Sequence, residues 1–472
     1  MTSAPASPFH LMPLDDAPEL CRLGVAALTD GFRSGAISPV EAAQAALARA
    51  EAINPRLNAF VSLDVDGALA AARESESRWR AGRPLSPIDG VPTTLKDIVQ
   101  VAGWTVRYGS TTTDPTARCP ADAPAVAKLR AAGAVFIGLT TVPEFGWKAV
   151  TDNALYGVAR NPWDTSLTPG GSSGGAAIAA ATGAGVLHLG TDGGGSIRVP
   201  ASFTGIVGLK PTFGRVPAFP LSAFGTVAHL GPMGRSVDDI AAMLANMSGR
   251  DIADWAQGPG DLGPCAPTQE SIAGAKIGYW AKPPSGAVDR EVAALVLAAV
   301  RRLEALGAEV EPVDLPGEDH LGLFDTLWSV GAAARLHGID EGRLAHVDPR
   351  LRELAALGAA RSAPELALAY VRRASFGEAM DRLLTRYDVL VSPATAVPAF
   401  AAAAEFPGGS GGAWWTEWAG FSYPINLTQQ PAVSIPCGLT AGGLPVGLQI
   451  VGARGADGRV LGFASAVAAS LG

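Results

Sequence analysis

Residues 168–215 read TPGGSSGGAAIAAATGAGVLHLGTDGGGSIRVPASFTGIVGLKPTFGR. Glycines 170, 171, 174 and 175 bracket two serines, Ser172 and Ser173, and the alanine-rich run behind them reads as a helix. Residues 186–189 read as a strand. They lead into Gly190-Thr191-Asp192-Gly193-Gly194-Gly195-Ser196, where consecutive glycines permit a tight bend before a serine. Such a bend lets backbone N–H groups converge on one point, as stabilisation of an oxyanion requires. From the residues alone, several readings stay open. The segment suits a pair of glycine-rich turns carrying solvated serines. Ser172 and Ser173 also satisfy Gly-x-Ser-x-Gly, the pattern of a nucleophile elbow. That elbow needs a strand directly before it, and residues 161–169 hold Pro162, Pro169 and several polar side chains. A phosphate loop needs a following Gly-Lys-Ser/Thr, which is missing.

Outward from this segment, helix and strand patterns alternate. Ser38-Pro39-Val40-Glu41 is a capping-box pattern with proline at the first helical position, predicting a helix to Ile53 that Asn54-Pro55 closes. A second alanine-rich helix is expected over 66–81. Residues 122–132 read as a helix ended by Gly133, with a strand over 134–139. Residues 289–306 repeat the pattern, stopped by Gly307 and followed by 308–313. Residues 387–391 and 432–436 read as buried strands, and Gly408 to Gly412 as a flexible loop. The alternation predicts an α/β class. No composition break marks a linker, so one domain over 1–472 is expected.

The chain has 472 residues, with 48% hydrophobic, 17% charged and a formal net charge of −8. An acidic balance argues against a general nucleic-acid binder, which must neutralise phosphates with Lys and Arg. Cys21, Cys119, Cys265 and Cys437 form no CxxC pair, so free buried thiols are expected and a zinc cluster is not. The N-terminus lacks a basic start and a leader-length apolar run, and no membrane-length apolar stretch follows. A cytoplasmic protein without a membrane partner is the expectation.

The stretch 170–214 closely resembles the signature of the amidase-signature family, and the spacing of Ser172 and Ser196 is the one expected for it. Further pieces match in order: Gly90-Val91-Pro92-Thr93-Thr94-Leu95-Lys96-Asp97, Pro143-Glu144-Phe145, Thr151-Asp152-Asn153, Asn161-Pro162-Trp163-Asp164, Gly231-Pro232-Met233-Gly234-Arg235-Ser236-Val237, residues 388–393, and Gly443-Leu444-Pro445-Val446-Gly447-Leu448-Gln449. The likeness runs from about residue 30 to the end. It implies a central twisted mixed β-sheet covered by helices on both faces, with a signature core over about 85–240 and a helical, pocket-forming part over about 241–430.

The resemblance also implies a site. Amide hydrolysis needs a nucleophile, a proton carrier and oxyanion stabilisation. Ser196 corresponds to the family's nucleophile, Ser172 to its relay serine in a cis peptide, and Lys96 to its base. A lysine serves as base only when neutral, which burial favours. Gly193, Gly194, Gly195 and Ser196 would supply the oxyanion-hole N–H groups. Ser173 would join this network, and Asp192 and Arg198 would brace the loop; an ordinary salt bridge is their plain alternative. His188, on an apolar strand, reads as a core histidine rather than a base. One position departs from the family: Leu167 stands where arginine is common, which removes a structural ion pair.

The family cleaves amides of many sizes, and some members cleave esters or carbamates. It also includes the A chain of the glutamine-dependent tRNA amidotransferase, which needs partner chains and is the alternative reading here. Trp414, Trp415 and Trp418 lie in an aromatic stretch unlike a site for a polar amino acid, which favours a free-standing hydrolase, monomeric or homodimeric. Its substrates would be small apolar or aryl amides, anilides or carbamates, with water. The same tryptophans suit plain core equally well; Phe145, Trp147 and Phe224 are further pocket candidates. No metal or cofactor is expected, since no metal-ligand spacing is present.

Overall fold

The computed structural model describes residues 14–471 apart from 259, 261, 403 and 410–413. The N-terminal stretch read for leader signals and most of the glycine loop over 408–412 therefore lie outside the described residues.

One mixed sheet runs through the molecule. Its strands are β1 (Phe60–Leu63), β2 (Pro92–Lys96), β3 (Val135–Thr140), β6 (Leu187–Asp192), β7 (Val207–Lys210), β8 (His229–Gly234), β9 (Lys276–Tyr279), β10 (Glu309–Pro312), β11 (Val389–Pro393), β12 (Ala432–Leu439) and β13 (Pro445–Val451). A separate hairpin pairs β4 (Asp152–Asn153) with β5 (Gly157–Val158). The order across the sheet is β1-β3-β2-β6-β8-β7-β12-β13-β11-β9-β10. Strands β3, β2 and β6 are parallel, as are β11, β9 and β10, and antiparallel pairs join the two blocks. Parallel pairing explains why β2, β3 and β11 are buried at every position: crossover helices cover such strands. Alternate residues divide between two cores. Val389 and Val391 pack in one and Leu390 in the other; Val433 and Ile435 are likewise separated from Ala432. Helices Val237–Met247, Arg290–Ala305 and Asp457–Leu471 pack into the first core. Helices His320–Leu336, Pro349–Ala359 and Ala363–Leu383 pack into the second, with its rich set of aromatic rings.

The predicted α/β class holds, and most predicted elements lie within a residue or two of their places. One boundary differs. The helix expected to close at Asn54-Pro55 runs Pro39–Leu57, with Pro55 inside it and Asn58 in the left-handed conformation ending it. Pro55 is exposed, so water can serve the carbonyl that loses its partner. Asn54 instead pins the exit: its side chain accepts from Phe60 N–H (2.7 Å) and donates to Phe60 O (3.0 Å). The cysteines are free, but only Cys21 and Cys265 are buried; Cys119 and Cys437 are half-buried.

Candidate active site

Two loops and one strand end meet beside the parallel block. Lys96 closes β2, whose Thr93 and Thr94 pair with Leu187 and His188 of β6. β6 ends at Asp192, the glycines turn the chain, and the buried helix Arg198–Thr204 follows. The other loop carries Ser172 and Ser173 into the helix Gly174–Thr182, buried throughout. Small residues are obligatory there: a Cβ on Gly174 would sit 2.3 Å from Thr151 Oγ1, and one on Gly175 2.4 Å from Ala59 O. The Gly171–Ser172 peptide is cis. Ser173 N–H donates to Ser196 O at 3.1 Å and ties the two loops together.

Lys96 is fully buried. Its Nζ lies 2.8 Å from each of Ser172 Oγ, Ser173 Oγ and Thr191 Oγ1. Burial pushes its pKa well below the ordinary lysine value, opposed by the charge of Asp192. Ser173 donates its own hydroxyl hydrogen to Thr191 O (3.1 Å), so towards Lys96 it can only accept. Thr191 belongs to this cluster but escaped the sequence reading, since nothing in its pattern distinguishes it from a strand residue. Ser172, Thr191, Gly193 and Ser196 open onto one cavity of about 440 Å³. Among the described residues Ser196 Oγ makes no hydrogen bond to Ser172; both face the cavity.

The glycine turn is held from outside. Asp192 and Arg198 form a fully buried pair at 3.0 Å. Burial alone would raise the Asp192 pKa, but Arg198 outweighs it and holds the carboxyl below its ordinary value. Arg198 is further fixed by Asn426 Oδ1 (2.6 Å), Gln449 Oε1 (2.8 Å) and Ser422 O (3.1 Å). One expectation is corrected here. Gly195 N–H donates to Asp192 Oδ1 at 2.7 Å, so it cannot serve an oxyanion. Its φ of +126° and the approach of Ser422 Oγ, 2.4 Å from a would-be Cβ, make glycine necessary there for geometry instead. The N–H groups of Gly193, Gly194 and Ser196 have no partner among the described residues.

His188 is a core histidine, as expected. It is fully buried, lies 2.8 Å from Thr94 Oγ1, and burial lowers its pKa to about 3. At Leu167 the apolar side chain packs against the second core, where an arginine was the family's alternative.

Of the pocket candidates, Phe145 and Phe224 line the cavity. Trp147, Trp414, Trp415 and Trp418 do not, because they are engaged in the second core. Trp418 stacks on Phe203 (5.9 Å between ring centroids), Trp415 meets Phe324 and Trp328 edge-on, and Trp414 meets Trp147 edge-on. Trp415 does back the site, since its ring lies 2.6 Å from a would-be Cβ on Gly194. The wall includes residues the sequence did not single out: Ile98, Tyr108, Phe213, Leu221, Trp328 and Arg335. Trp328 stacks on Phe224 at 3.9 Å. Among the described residues, no group of His, Cys, Asp and Glu could hold a metal ion, and no helix is long and apolar enough to cross a membrane.

The chain is similar to known amidases over most of its length. The family model Amidase matches residues 41–461. An acylamidase from Rhodococcus erythropolis is 35% identical over 438 residues, covering 91% of each chain. The A chain of a glutamyl-tRNA(Gln) amidotransferase from Anaeromyxobacter sp. (strain K) is also 35% identical, covering 92% of this chain and 94% of the other. The crystal structure of a bacterial aryl acylamidase of the amidase-signature enzymes superposes with a TM-score of 0.86 at 28% identity, covering 95% and 96% of the two chains.

Proposed function

This chain belongs to the amidase family, hydrolases of amide C–N bonds, and from that premise we propose that it is a free-standing amidase using Ser196, Ser172 and Lys96. The observation that carries the reading is the hydrogen-bond arithmetic at Lys96. A neutral amine has two N–H bonds and one lone pair. Ser173 must accept one N–H, because its own hydrogen goes to Thr191 O, and Thr191 Oγ1 can take the other. The lone pair is then left for the Ser172 hydroxyl at 2.8 Å. Burial disfavours the charged amine and so favours the neutral form a base requires.

The steps follow. The Ser196 hydroxyl turns towards Ser172, gives its proton through Ser172 to Lys96, and attacks the amide carbonyl. The developing oxyanion takes N–H bonds from Gly193, Gly194 and Ser196. Lys96 returns the proton through Ser172 to the leaving amine, giving an acyl-enzyme. Water, deprotonated along the same path, then releases the acid. The cavity's rings and aliphatic side chains support small apolar or aryl substrates, with anilides first and carbamates and esters within range. Aligned rather than hydrated reactants in such a pocket supply much of the rate.

Ser196→Ala tests the reading. It should abolish hydrolysis of an anilide and labelling by a fluorophosphonate; full labelling of the variant would sink the assignment. If the purified native chain cleaves no amide, anilide or carbamate yet stays folded, the reading as an amidotransferase component gains.

A further inference from the structure

Arg335 sits in the last turn of the helix His320–Leu336 and lines the same cavity as Ser196 and Ser172. Its guanidinium lies over two rings, with Cζ 4.1 Å from the centroid of Phe145 and 4.8 Å from that of Tyr108. Among the described residues it makes no ion pair and no hydrogen bond, and its buried Nε has no partner. The carboxylate among the lining residues, Asp254, forms no ion pair with it. Asp254 is committed to the backbone N–H groups of Ala218 (2.8 Å) and Ala256 (3.0 Å).

The platform beneath Arg335 is unusual in its backbone. Tyr108 and Phe145 both adopt left-handed conformations, φ 57° and 53°, which bulky residues seldom hold. They are tied together, Phe145 N–H donating to Tyr108 O at 2.7 Å, and Tyr108 N–H donates to Asp97 O at 3.0 Å. Asp97 is the neighbour of Lys96, so the platform is built off the strand end that carries the candidate base. A guanidinium held flat on rings, with its remaining N–H edge towards a cavity and no counter-ion, presents the fork that a carboxylate fits. A cation held there for packing alone would need no such cavity-facing edge.

We propose that Arg335 selects substrates bearing a carboxylate remote from the scissile amide. The inference rests on the amidase reading above and narrows its substrate class. The preferred molecule has an apolar or aryl body and an anionic end. Charge-assisted recognition of this kind should contribute about ten- to a hundredfold in discrimination.

Two matched pairs test it on the purified full chain. One places the carboxylate on the amine side, 4-butyramidobenzoate against butyranilide. The other places it on the acyl side, glutaryl anilide against valeryl anilide. In the native protein at least one charged member should exceed its neutral partner in kcat/KM by about tenfold or more, chiefly through KM. Arg335→Met keeps an apolar stem on the rings and should bring that ratio to one or below; Arg335→Lys should retain part of it. A ratio at or below one in both pairs of the native protein overturns the proposal, as does a loss in Arg335→Met that falls equally on charged and neutral members. Binding separates this failure from failure of the amidase reading. If no pair is hydrolysed, calorimetry with 4-butyramidobenzoate and its carboxamide on Ser196→Ala and Ser196→Ala/Arg335→Met still decides: tighter carboxylate binding that Arg335→Met removes supports it, and equal binding overturns it.

Discussion

Lys96 Nζ lies 2.8 Å from Ser172 Oγ, with no carboxylate within ion-pair distance of it among the described residues. A buried lysine normally finds an anion; here hydroxyls take that place, so neutrality is the comfortable state. Replacing Lys96 with Ala should therefore lower kcat on an anilide by about a hundred- to ten-thousandfold, the usual range for loss of a general base. Ser172→Ala should cost a similar factor, because it breaks the same path. The double variant should be little worse than either single one, measured by steady-state kinetics.

The pH dependence has a definite sign. On the proposed mechanism the reaction requires neutral Lys96, so kcat/KM should rise with pH through its lowered pKa and then level off. Asp97, pushed up by burial to about 7, also titrates within the measured window. Asp97→Asn separates the two: a rising limb that survives it belongs to Lys96. A profile flat from about pH 5 to 9 would contradict a lysine base.

Stability should respond too. The folded state disfavours protonated Lys96, while the unfolded chain holds that proton up to about pH 10.4. The unfolded state thus binds more protons between the lowered pKa and that value, and stability gained from this site rises with pH across the window. The Tm of the native protein relative to Lys96→Met should climb from pH 7 to 10. An unchanged difference would show that the lysine titrates alike in both states.

Asp192→Asn should leave a folded but weakened protein. It strips the counter-ion from Arg198 at a site where both side chains are fully buried. Loss of one partner from such a pair costs about 3–5 kcal/mol, readable by urea denaturation. Turnover should fall as well, since the same carboxylate holds Gly195 N–H and shapes the turn before Ser196.

Gly194→Ala should damage catalysis through packing. The added methyl would meet Trp415 at 2.6 Å and Phe324 at 2.8 Å, and both rings are packed in the second core. Overpacking of this kind costs about 1–3 kcal/mol, and the loop rather than the rings should yield. The expected result is a loss in kcat with fluorophosphonate labelling slowed in parallel; the compensating Trp415→Phe should restore part of both.

How much of this was legible beforehand differs by kind of residue. The strand and helix pattern was readable because buried parallel strands and capped helices carry local signatures, as at Asp289, which caps Arg290–Ala305, and Ser38, which caps Pro39–Leu57. Lys96, Ser172 and Ser196 came from resemblance; no local rule makes Lys96 more than one lysine among many. The cavity wall was poorly legible. Trp414, Trp415 and Trp418 look in sequence like a pocket, but whether a ring faces a void or another ring is decided by partners such as Phe203 and Phe324 far along the chain. Trp328 and Arg335 reach the cavity from a helix whose sequence gives no sign of which turn faces it. Gly195 shows the limit of motif reading: three adjacent glycines look equivalent, yet one donates its N–H to Asp192 and the others do not.

Arg198 takes its clamps from Ser422, Asn426 and Gln449, which lie 224, 228 and 251 residues further along the chain. On the ribosome, Lys96, Ser172 and Ser196 emerge long before the residues that hold their turn in shape. A growing chain therefore carries these side chains while the turn before Ser196 is still unclamped, and the site we propose takes its shape only after Gln449 has been added.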